Sequence, residues 1–366
     1  MVGTTAIFVA LGGLRPYAHQ NIEMAADWCR GGQVVVLGDR AGLKGLPSGI
    51  DAIHIETLVP KRRRETLQGQ LRARGTNTRW RNGYWLSILM RFEALRRFGE
   101  ASPETGSMFH IENDVATFLS DSVVSEISKT SKHGVRVPFL DAEQGCAGIL
   151  WAQDGRSLSE TCAYVVESVA SGAEKSDMFA LGTLGRRGII GQLPVRFEDP
   201  EVIVGAEPQS SSVDERAPHV VFDSVVVGQY LLGSDPRNSQ GISIPGYRYV
   251  KGGFDPGQLA NWRIEDCADG QARVVADDLG GPVAFAALHI HAKRTIPAVV
   301  RESSEWSRIL DWANQRTRPH LDVYISKIVF WKLFVRLSPV KQWLIGQLKR
   351  SKQPNNQAKT TACSDW

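Results

Sequence analysis

The sequence has few cysteines, and none of them has the spacing of a metal or redox motif. No two of the five are separated by only two residues, and they are scattered through the 366 residues at Cys29, Cys146, Cys162, Cys267 and Cys363. Zinc-ribbon and thioredoxin-like motifs are therefore excluded. An odd, dispersed set of cysteines is typical of reduced and mostly buried thiols, and we predict a cytoplasmic protein.

Long apolar runs and a large net charge are also missing. No stretch reaches about 18 uncharged apolar residues, so no membrane span is predicted. The first five residues lack the basic start of a signal peptide, and the apolar run that follows them is too short for one. A balance of 43 basic against 39 acidic residues gives a net charge of +4, which is too mild to indicate a nucleic-acid binder.

The composition is that of a folded protein, with 42% hydrophobic and 22% charged residues. The chain opens with an apolar run at 6–11, a helical pattern at 16–30 and a second apolar run at 33–37. A strand, a helix and a strand within so short a span predict a βαβ unit with parallel strands. We therefore expect an α/β fold.

Two later segments are expected to be irregular. The segment 61–81 contains eight Lys or Arg and one acid, and we interpret its cluster at 61–64 as a solvated loop. The segment 222–262 is rich in Gly, Pro, Asp and Asn and is expected to have little regular structure. Between them, the apolar spacing predicts a helix over 157–170 that is capped by Ser157.

An acidic tripeptide, Glu112-Asn113-Asp114, follows a short apolar strand at 108–111. Parallel α/β sheets bind ligands outside the carboxyl ends of their strands. Two carboxylates two residues apart can hold a hard divalent cation such as Mg²⁺ or Mn²⁺. The same residues could form an ordinary turn before a helix, and on spacing alone the turn is favoured.

A second polar group stands at the end of the last predicted strand, 283–291, where His289 and His291 are followed by Lys293. We expect one histidine to face the site and the other to face the core. A carboxylate, an imidazole and an ammonium group around a metal-bound diphosphate form a coherent set. This second group favours a metal site at residues 112–114, although a single histidine is more often a core residue.

Together these segments resemble a glycosyltransferase of the GT-A type, over about residues 5–295. The strand and acidic tripeptide at 109–114 resemble its Asp-x-Asp metal motif, with Glu in the first position. Three further segments resemble signatures of bacterial cell-surface polysaccharide transferases, namely residues 81–92, 222–238 and 288–293.

The resemblance implies a Rossmann-like, mostly parallel sheet flanked by helices. It places a nucleotide-binding half at about 1–120 and an acceptor half at about 121–300. It also implies an enzyme that depends on Mn²⁺ or Mg²⁺ and transfers a sugar from a nucleotide-sugar donor. The acceptor would be a glycan or a lipid-linked molecule in cell-surface polysaccharide synthesis. Two other interpretations stay open: a metal-dependent phosphohydrolase or nucleotidyltransferase, and a non-catalytic, membrane-associated sugar-binding protein.

Roles for individual residues follow from the resemblance. The nucleotide would lie against Leu11, Gly12 and Gly13, because glycine lets a ligand approach the backbone closely. Four basic side chains would contact the nucleotide or its diphosphate: Arg15, Arg81, Arg91 and Lys293. A solvated loop for Arg15 and a surface ion pair for Arg91 are open alternatives. The metal would be held by Glu112, Asp114 and one of the histidines, His289 or His291.

An inverting transferase needs a carboxylate base near the acceptor hydroxyl. Asp177, followed by Met178, resembles the Asp–Met pair on the acceptor side of similar enzymes, and Asp223 is a second candidate. Each has a simpler explanation, since Asp177 could cap a helix and Asp223 could close a turn. A retaining mechanism, which needs no such base, stays open as well.

The C-terminal part is strongly basic. Eight Lys or Arg and no acid fall within 326–359, among apolar and aromatic residues that Pro339 divides into two helical stretches. The rest of the chain keeps 35 of the 43 basic residues against all 39 acids, a net charge of −4. We predict helices within 301–350, of which 324–350 lie on the anionic inner face of the plasma membrane or pack on the main domain. A disordered tail is expected at 351–366.

Overall fold

The computed structural model of the chain describes residues 3–29, 31–79, 83–195, 203–204, 219–232, 256, 259–266, 272–278, 281–289 and 304–315. Its strands, in chain order, are β1 Thr5–Ala10, β2 Gln33–Gly38, β3 Asp51–His54, β4 Met108–Ile111, β5 Val115–Thr117, β6 Val135–Asp141, β7 Gln144–Gly145, β8 Ile149–Ala152, β9 Gly191–Leu193, β10 Ile203–Val204, β11 His219–Phe222, β12 Ala260–Asp266, β13 Ala272–Asp278 and β14 Gly281–His289. Its helices are α1 Pro16–Trp28, α2 Ile55–Leu58, α3 Lys61–Ala73, α4 Tyr84–Ala101, α5 Asp121–Thr130, α6 Gly155–Ser171, α7 Asp177–Arg186, α8 Val226–Leu232 and α9 Ser304–Gln315.

Eight strands form a mixed first sheet in the order β3-β2-β1-β4-β8-β6-β7, with β9 beside β6. Strands β3, β2, β1 and β4 run parallel, whereas β8 is antiparallel to both β4 and β6. All six residues of β1 are buried, as expected of a central strand that is covered on both faces. The parallel βαβ opening predicted from the sequence is confirmed.

Helices cover both faces of the first sheet. On one face, Ile7 and Val9 of β1 pack in one core with side chains of α4 and α6. On the other face, Ala6, Phe8 and Ala10 pack with side chains of α1 and α5. This division follows from the two-residue period of a strand, and it confirms the predicted α/β class.

A six-stranded second sheet has the order β10-β11-β14-β13-β12, and β5 also pairs with β14. The last residues of β14 lie against β5, with Leu288 opposite Ala116 and His289 opposite Val115. Because β4 belongs to the first sheet and β5 to the second, the chain passes between the sheets at residues 112–114. This crossing positions the candidate site.

The basic cluster at 61–64 begins α3, so its interpretation as a solvated loop is wrong. Leu67 and Leu71 lie one helical turn apart and are fully buried. Arg63 donates to Glu93 Oε2 (3.2 Å) and Glu167 Oε1 (2.6 Å). A buried leucine stripe and these ion pairs stabilise a helix in spite of the local excess of positive charge.

Two other boundaries differ from the sequence predictions. Helix α6 begins at Gly155 and is capped by Asp154, whose Oδ1 accepts the Ser157 N–H at 2.7 Å. Ser157 therefore lies inside the helix that it was expected to cap. The described residues of the segment 222–262 include α8 and the first residues of β12, so this part of the segment is more regular than its composition indicates.

Part of the predicted C-terminal helical segment is α9, which packs on the second sheet. Asn314 Oδ1 accepts the Trp262 N–H (2.6 Å), and Asn314 Nδ2 donates to the Trp262 carbonyl (2.7 Å). The predicted membrane segment, 324–350, and the tail, 351–366, lie outside the described residues. Within the described part of the chain, no helix combines the length and apolarity needed to cross a membrane.

Candidate metal and donor site

The loop at residues 112–114 is fixed to the first sheet by hydrogen bonds. The Glu112 N–H donates to the Gly148 carbonyl at 2.8 Å. Asn113 Nδ2 donates to the Val9 carbonyl at the end of β1 (3.1 Å), and the Asn113 carbonyl accepts from Asn21 Nδ2 (2.8 Å). Asn113 is thus engaged with β1 and α1, while its two acidic neighbours keep part of their surface open to solvent.

Three groups that can bind a metal converge at this loop. Nε2 of His289 lies 3.4 Å from Glu112 Oε2 and 3.4 Å from Asp114 Oδ1. One ligand atom from each residue lies within 4.8 Å of the other two. Two carboxylate oxygens and one imidazole nitrogen suit a divalent cation such as Mn²⁺. The structure therefore brings together three of the four residues predicted to hold a metal.

The imidazole of His289 is buried between charges. Burial by itself would lower its pKa, but interactions with the Asp114 carboxylate and, less strongly, with Cys146 together raise the pKa to about 10. The imidazolium is therefore the favoured form at neutral pH. A metal ion that binds Nε2 has to displace this proton, so protons and metal compete for the site.

Asp223 accepts a hydrogen bond from the backbone of His289. Asp223 Oδ2 accepts the N–H groups of His289 (3.0 Å) and Gly228 (2.8 Å), and Oδ1 accepts those of Val225 and Val227 (both 2.9 Å). Burial raises the pKa of Asp223, and these hydrogen bonds oppose the rise. The four bonds tie the start of α8 to the end of β14, which is the structural role foreseen as the alternative for this residue.

Arg91 of α4 connects the metal-binding cluster to Asp177. Its guanidinium pairs with Glu112 Oε1 through Nη1 and donates from Nη2 to Asp177 Oδ2 at 2.9 Å. The Arg91 and Asp177 side chains are only 14% and 9% exposed, so solvent screens this pairing weakly. The foreseen alternative for Arg91 was a surface ion pair. The structure has a largely buried ion pair instead, and both partners are candidate site residues.

Gly12 forms a tight turn at the end of β1. Its φ of +86° is a conformation that favours glycine. The Gly12 N–H donates to Asp39 Oδ2 (2.9 Å), and Asp39 Oδ1 accepts the N–H groups of Ala41 (3.1 Å) and Gly42 (2.8 Å). Sequence analysis did not name Asp39, although its position directly after the buried strand β2 was a usable signal.

The other predicted donor-side residues are placed less fully. Leu11 is half-buried, and Gly13 and Arg15 are exposed in the segment after β1. Three more lie outside the described residues: Arg81, His291 and Lys293. The expectation that His289 and His291 face opposite sides does not follow from a strand, since residues two apart share a face, and β14 ends at His289.

Two glycines that the sequence analysis missed leave room for His289. A Cβ atom on Gly148 would lie 2.7 Å from His289 Nδ1, and one on Gly228 would lie 1.9 Å from the His289 carbonyl oxygen. Any larger residue at either position would have to displace His289 or its strand. A single glycine in an apolar segment gives no local signal of such a distant contact.

His110 of β4 is a second buried histidine, two residues before Glu112. Its Nδ1 donates to the Ile7 carbonyl at 3.1 Å. Burial, and then the positive charge of Arg91, lower the pKa of His110 to about 3. The folded protein therefore keeps this imidazole neutral through the whole physiological pH range.

We expect acid to weaken the fold through His110. In the unfolded chain the His110 pKa returns to about 6.5, so below that pH the unfolded state binds a proton that the folded state does not bind. The contribution of neutral His110 to the free energy of unfolding is complete above about pH 6.5. It falls by up to about 1.4 kcal/mol per pH unit as the pH decreases towards 3. Urea unfolding of the wild type and His110→Asn at pH 5 to 7 measures it: the stability advantage of the wild type should shrink as the pH falls. An advantage that does not change with pH would contradict the assignment.

Comparison with solved structures finds distant similarity to sugar transferases. The chain is similar to galactosyltransferase LgtC in complex with donor and acceptor sugar analogs, at 12% identity, with 86% of this chain and 98% of that chain covered and a TM-score of 0.36. It is also similar to mouse xyloside xylosyltransferase 1 (8% identity, 53% and 86% covered, TM-score 0.35). A third similar structure is a glycosyltransferase involved in the glycosylation of the major capsid of PBCV-1 (10% identity, 52% and 80% covered, TM-score 0.31). No protein-family model and no curated protein matches the chain.

All three of these proteins are named as glycosyl-, galactosyl- or xylosyltransferases. TM-scores below 0.5 at such low identity carry no argument about activity. Any conclusion about function therefore has to come from the residues of the site in this chain.

Proposed function

We propose that this protein is a metal-dependent glycosyltransferase that moves a sugar from a nucleotide-sugar donor to a glycan or lipid-linked acceptor. The observation that carries the proposal is the convergence of Glu112, Asp114 and His289 within 4.8 Å. The cluster lies at the carboxyl end of β4, and the neighbouring parallel strands β1 and β2 end at the same edge of the sheet. That edge is where open α/β sheets bind nucleotides.

The metal would be held by Glu112 Oε2, Asp114 Oδ1 and His289 Nε2. Bound Mn²⁺ or Mg²⁺ supplies Lewis-acid stabilisation of a departing diphosphate. Arg91 pairs with the other carboxylate oxygen of Glu112, Oε1. Glu112 can therefore interact with a metal ion and with Arg91 through different oxygens.

The donor nucleotide would lie against the turn at Gly12. Asp39 holds the Gly12 N–H at 2.9 Å, which fixes a segment of backbone without a side chain that could block the ligand. Arg15, exposed three residues further on, would meet the diphosphate as a charged hydrogen-bond donor. The same role for Arg81 and Lys293 is supported by the sequence motifs alone.

We assign Asp177 as the base that would take the proton of the acceptor hydroxyl. Arg91 holds Asp177 Oδ2 at 2.9 Å, and Oδ1 makes no hydrogen bond to the residues that the structure describes. Both oxygens of Asp223, in contrast, accept backbone N–H groups. In an inverting reaction, Asp177 Oδ1 would take the proton of the acceptor hydroxyl.

A role in cell-surface polysaccharide synthesis and a peripheral position on the inner face of the plasma membrane complete the proposal. Their support is the sequence: the polysaccharide-transferase motifs and the eight basic residues without any acid in 326–359. Such a segment is attracted to anionic lipid headgroups. Lipid-linked acceptors are found at that surface.

A panel of nucleotide sugars tests the activity. With Mn²⁺ and a mixture of glycan and lipid-linked acceptors, the full-length protein should release a nucleoside diphosphate and form a sugar-bearing product from at least one donor, both detected by mass spectrometry. EDTA should stop both, and Asp177→Asn, which keeps the pair between Arg91 and Glu112, should slow transfer while metal binding persists. Release of pyrophosphate or phosphate without sugar transfer would show a nucleotidyltransferase or a phosphohydrolase instead.

A further inference from the structure

The second ring nitrogen of His289 faces a sulfur atom. Cys146 Sγ lies 3.9 Å from His289 Nδ1, and both residues are buried, at 3% and 5% exposure. The Gly148 N–H donates to the same sulfur at 3.4 Å. Cys146 is therefore held in place by the backbone of a neighbouring residue and lies within hydrogen-bond range of the imidazole.

A histidine that binds a metal through Nε2 carries its proton on Nδ1. An acceptor at Nδ1 selects this tautomer and fixes the orientation of the ring. Carboxylates, backbone carbonyls and water usually fill this role, whereas a thiol sulfur is a weak acceptor. Cys146 Sγ lies within hydrogen-bond range of Nδ1 and can take this role.

The surroundings of the ring match this arrangement. A Cβ atom on Gly148 would lie 2.7 Å from His289 Nδ1 and 3.3 Å from Cys146 Sγ, so glycine at 148 lets the sulfur and the ring meet. Asp223 Oδ2 fixes the backbone of His289 by accepting its N–H at 3.0 Å. His289 is thus restrained at its backbone N–H by Asp223 and at its ring atom Nδ1 by Cys146.

We propose that Cys146 is a positioning residue for the metal site, whose sulfur accepts the Nδ1 proton of His289 and keeps Nε2 directed at Glu112 and Asp114. The inference rests on the proposed metal site. It assigns Cys146 a part in metal affinity without any contact to metal, donor or acceptor. It also separates Cys146 from Cys162 of α6, which is fully buried in the core on one face of the first sheet.

Metal titration of full-length variants tests the proposal. We expect Cys146→Ala to weaken Mn²⁺ and Co²⁺ binding about tenfold. This is the lower end of the effect of removing a group that hydrogen-bonds a metal ligand, because a thiol is a weak acceptor. Cys146→Ser, which keeps a small acceptor, should bind within about threefold of the wild type. The absorption bands of bound Co²⁺ should change in Cys146→Ala and be restored in Cys146→Ser.

The matched control is Cys162→Ala, which also removes a buried sulfur but lies away from His289. It should lower the melting temperature and leave both metal affinities and the Co²⁺ spectrum unchanged. If the wild type binds no metal, the proposed function fails together with this inference. If the wild type binds and Cys146→Ala binds equally well with the same Co²⁺ spectrum, the role of Cys146 alone is refuted.

Discussion

Asp114→Asn should lose the stabilisation that Mn²⁺ and a nucleoside diphosphate give to the wild type. A ligand at 100 times its Kd stabilises a protein by about 2.7 kcal/mol, and asparagine keeps the shape of Asp114 while removing its charge. The substitution also removes the carboxylate that most favours the charged form of His289. Sugar transfer should fall by at least about 100-fold, since the loss of a residue that only hydrogen-bonds a metal ligand can already cost that much.

Thermal unfolding with and without the two ligands measures this effect. Asp51→Asn is the matched control, because Asp51 is an exposed carboxylate at the edge strand β3, where it accepts a hydrogen bond from Gln33 Nε2. The control should keep the full ligand-dependent shift in melting temperature. An undiminished shift in the melting temperature of Asp114→Asn would show that Asp114 does not bind the metal.

Arg91→Met should destabilise the fold by about 3 kcal/mol, the cost of breaking a buried ion pair by removing one partner. The Glu112 and Asp177 carboxylates are only 21% and 9% exposed. Asp177 would lose the cation it is paired with, and Glu112 would keep only His289. Arg91→Lys should recover part of the loss, because an ammonium group cannot reproduce the fork that contacts two carboxylates. Urea unfolding measures the free energy of unfolding of each variant.

Arg97→Met on the same helix is the comparison for Arg91. The Arg97 side chain is 38% exposed, and its partner Glu93 is also bound by Arg63 and Arg96. Its loss should therefore cost less than about 1 kcal/mol. Combining Arg91→Met with Asp177→Asn should cost less than the sum of the two single changes, since they share one interaction. Equal destabilisation by Arg91→Met and Arg97→Met would show that the bridge to Asp177 adds nothing.

Local sequence pattern was sufficient for the opening βαβ unit. The apolar run of β1 and the stripe of α1 are properties of neighbouring residues, and the structure has both near the predicted positions. The loop interpretation of the basic cluster at 61–64 was wrong because charge dominates the composition of the cluster. The two leucines that decide its conformation, Leu67 and Leu71, lie about one and two turns beyond it.

The candidate site was foreseen in its residue types and not in its contacts. Glu112, Asp114 and His289 were named from motifs, but what joins them is the pairing of β5 with β14, between residues 115 and 289. Sequence periodicity contains no information about such a long-range register. The same holds for Arg91, whose partner Asp177 lies 86 positions away, and for Cys146 beside His289.

The crossing of the chain at residues 112–114 has a consequence for biosynthesis. The two carboxylates of the cluster belong to the first third of the chain, whereas the strand that presents His289 emerges from the ribosome only after most of the protein has been made. The first sheet can begin to fold during synthesis, but the complete set of metal ligands cannot exist until β14 has paired with β5. Timing of synthesis alone thus keeps an immature chain from holding metal with all three groups.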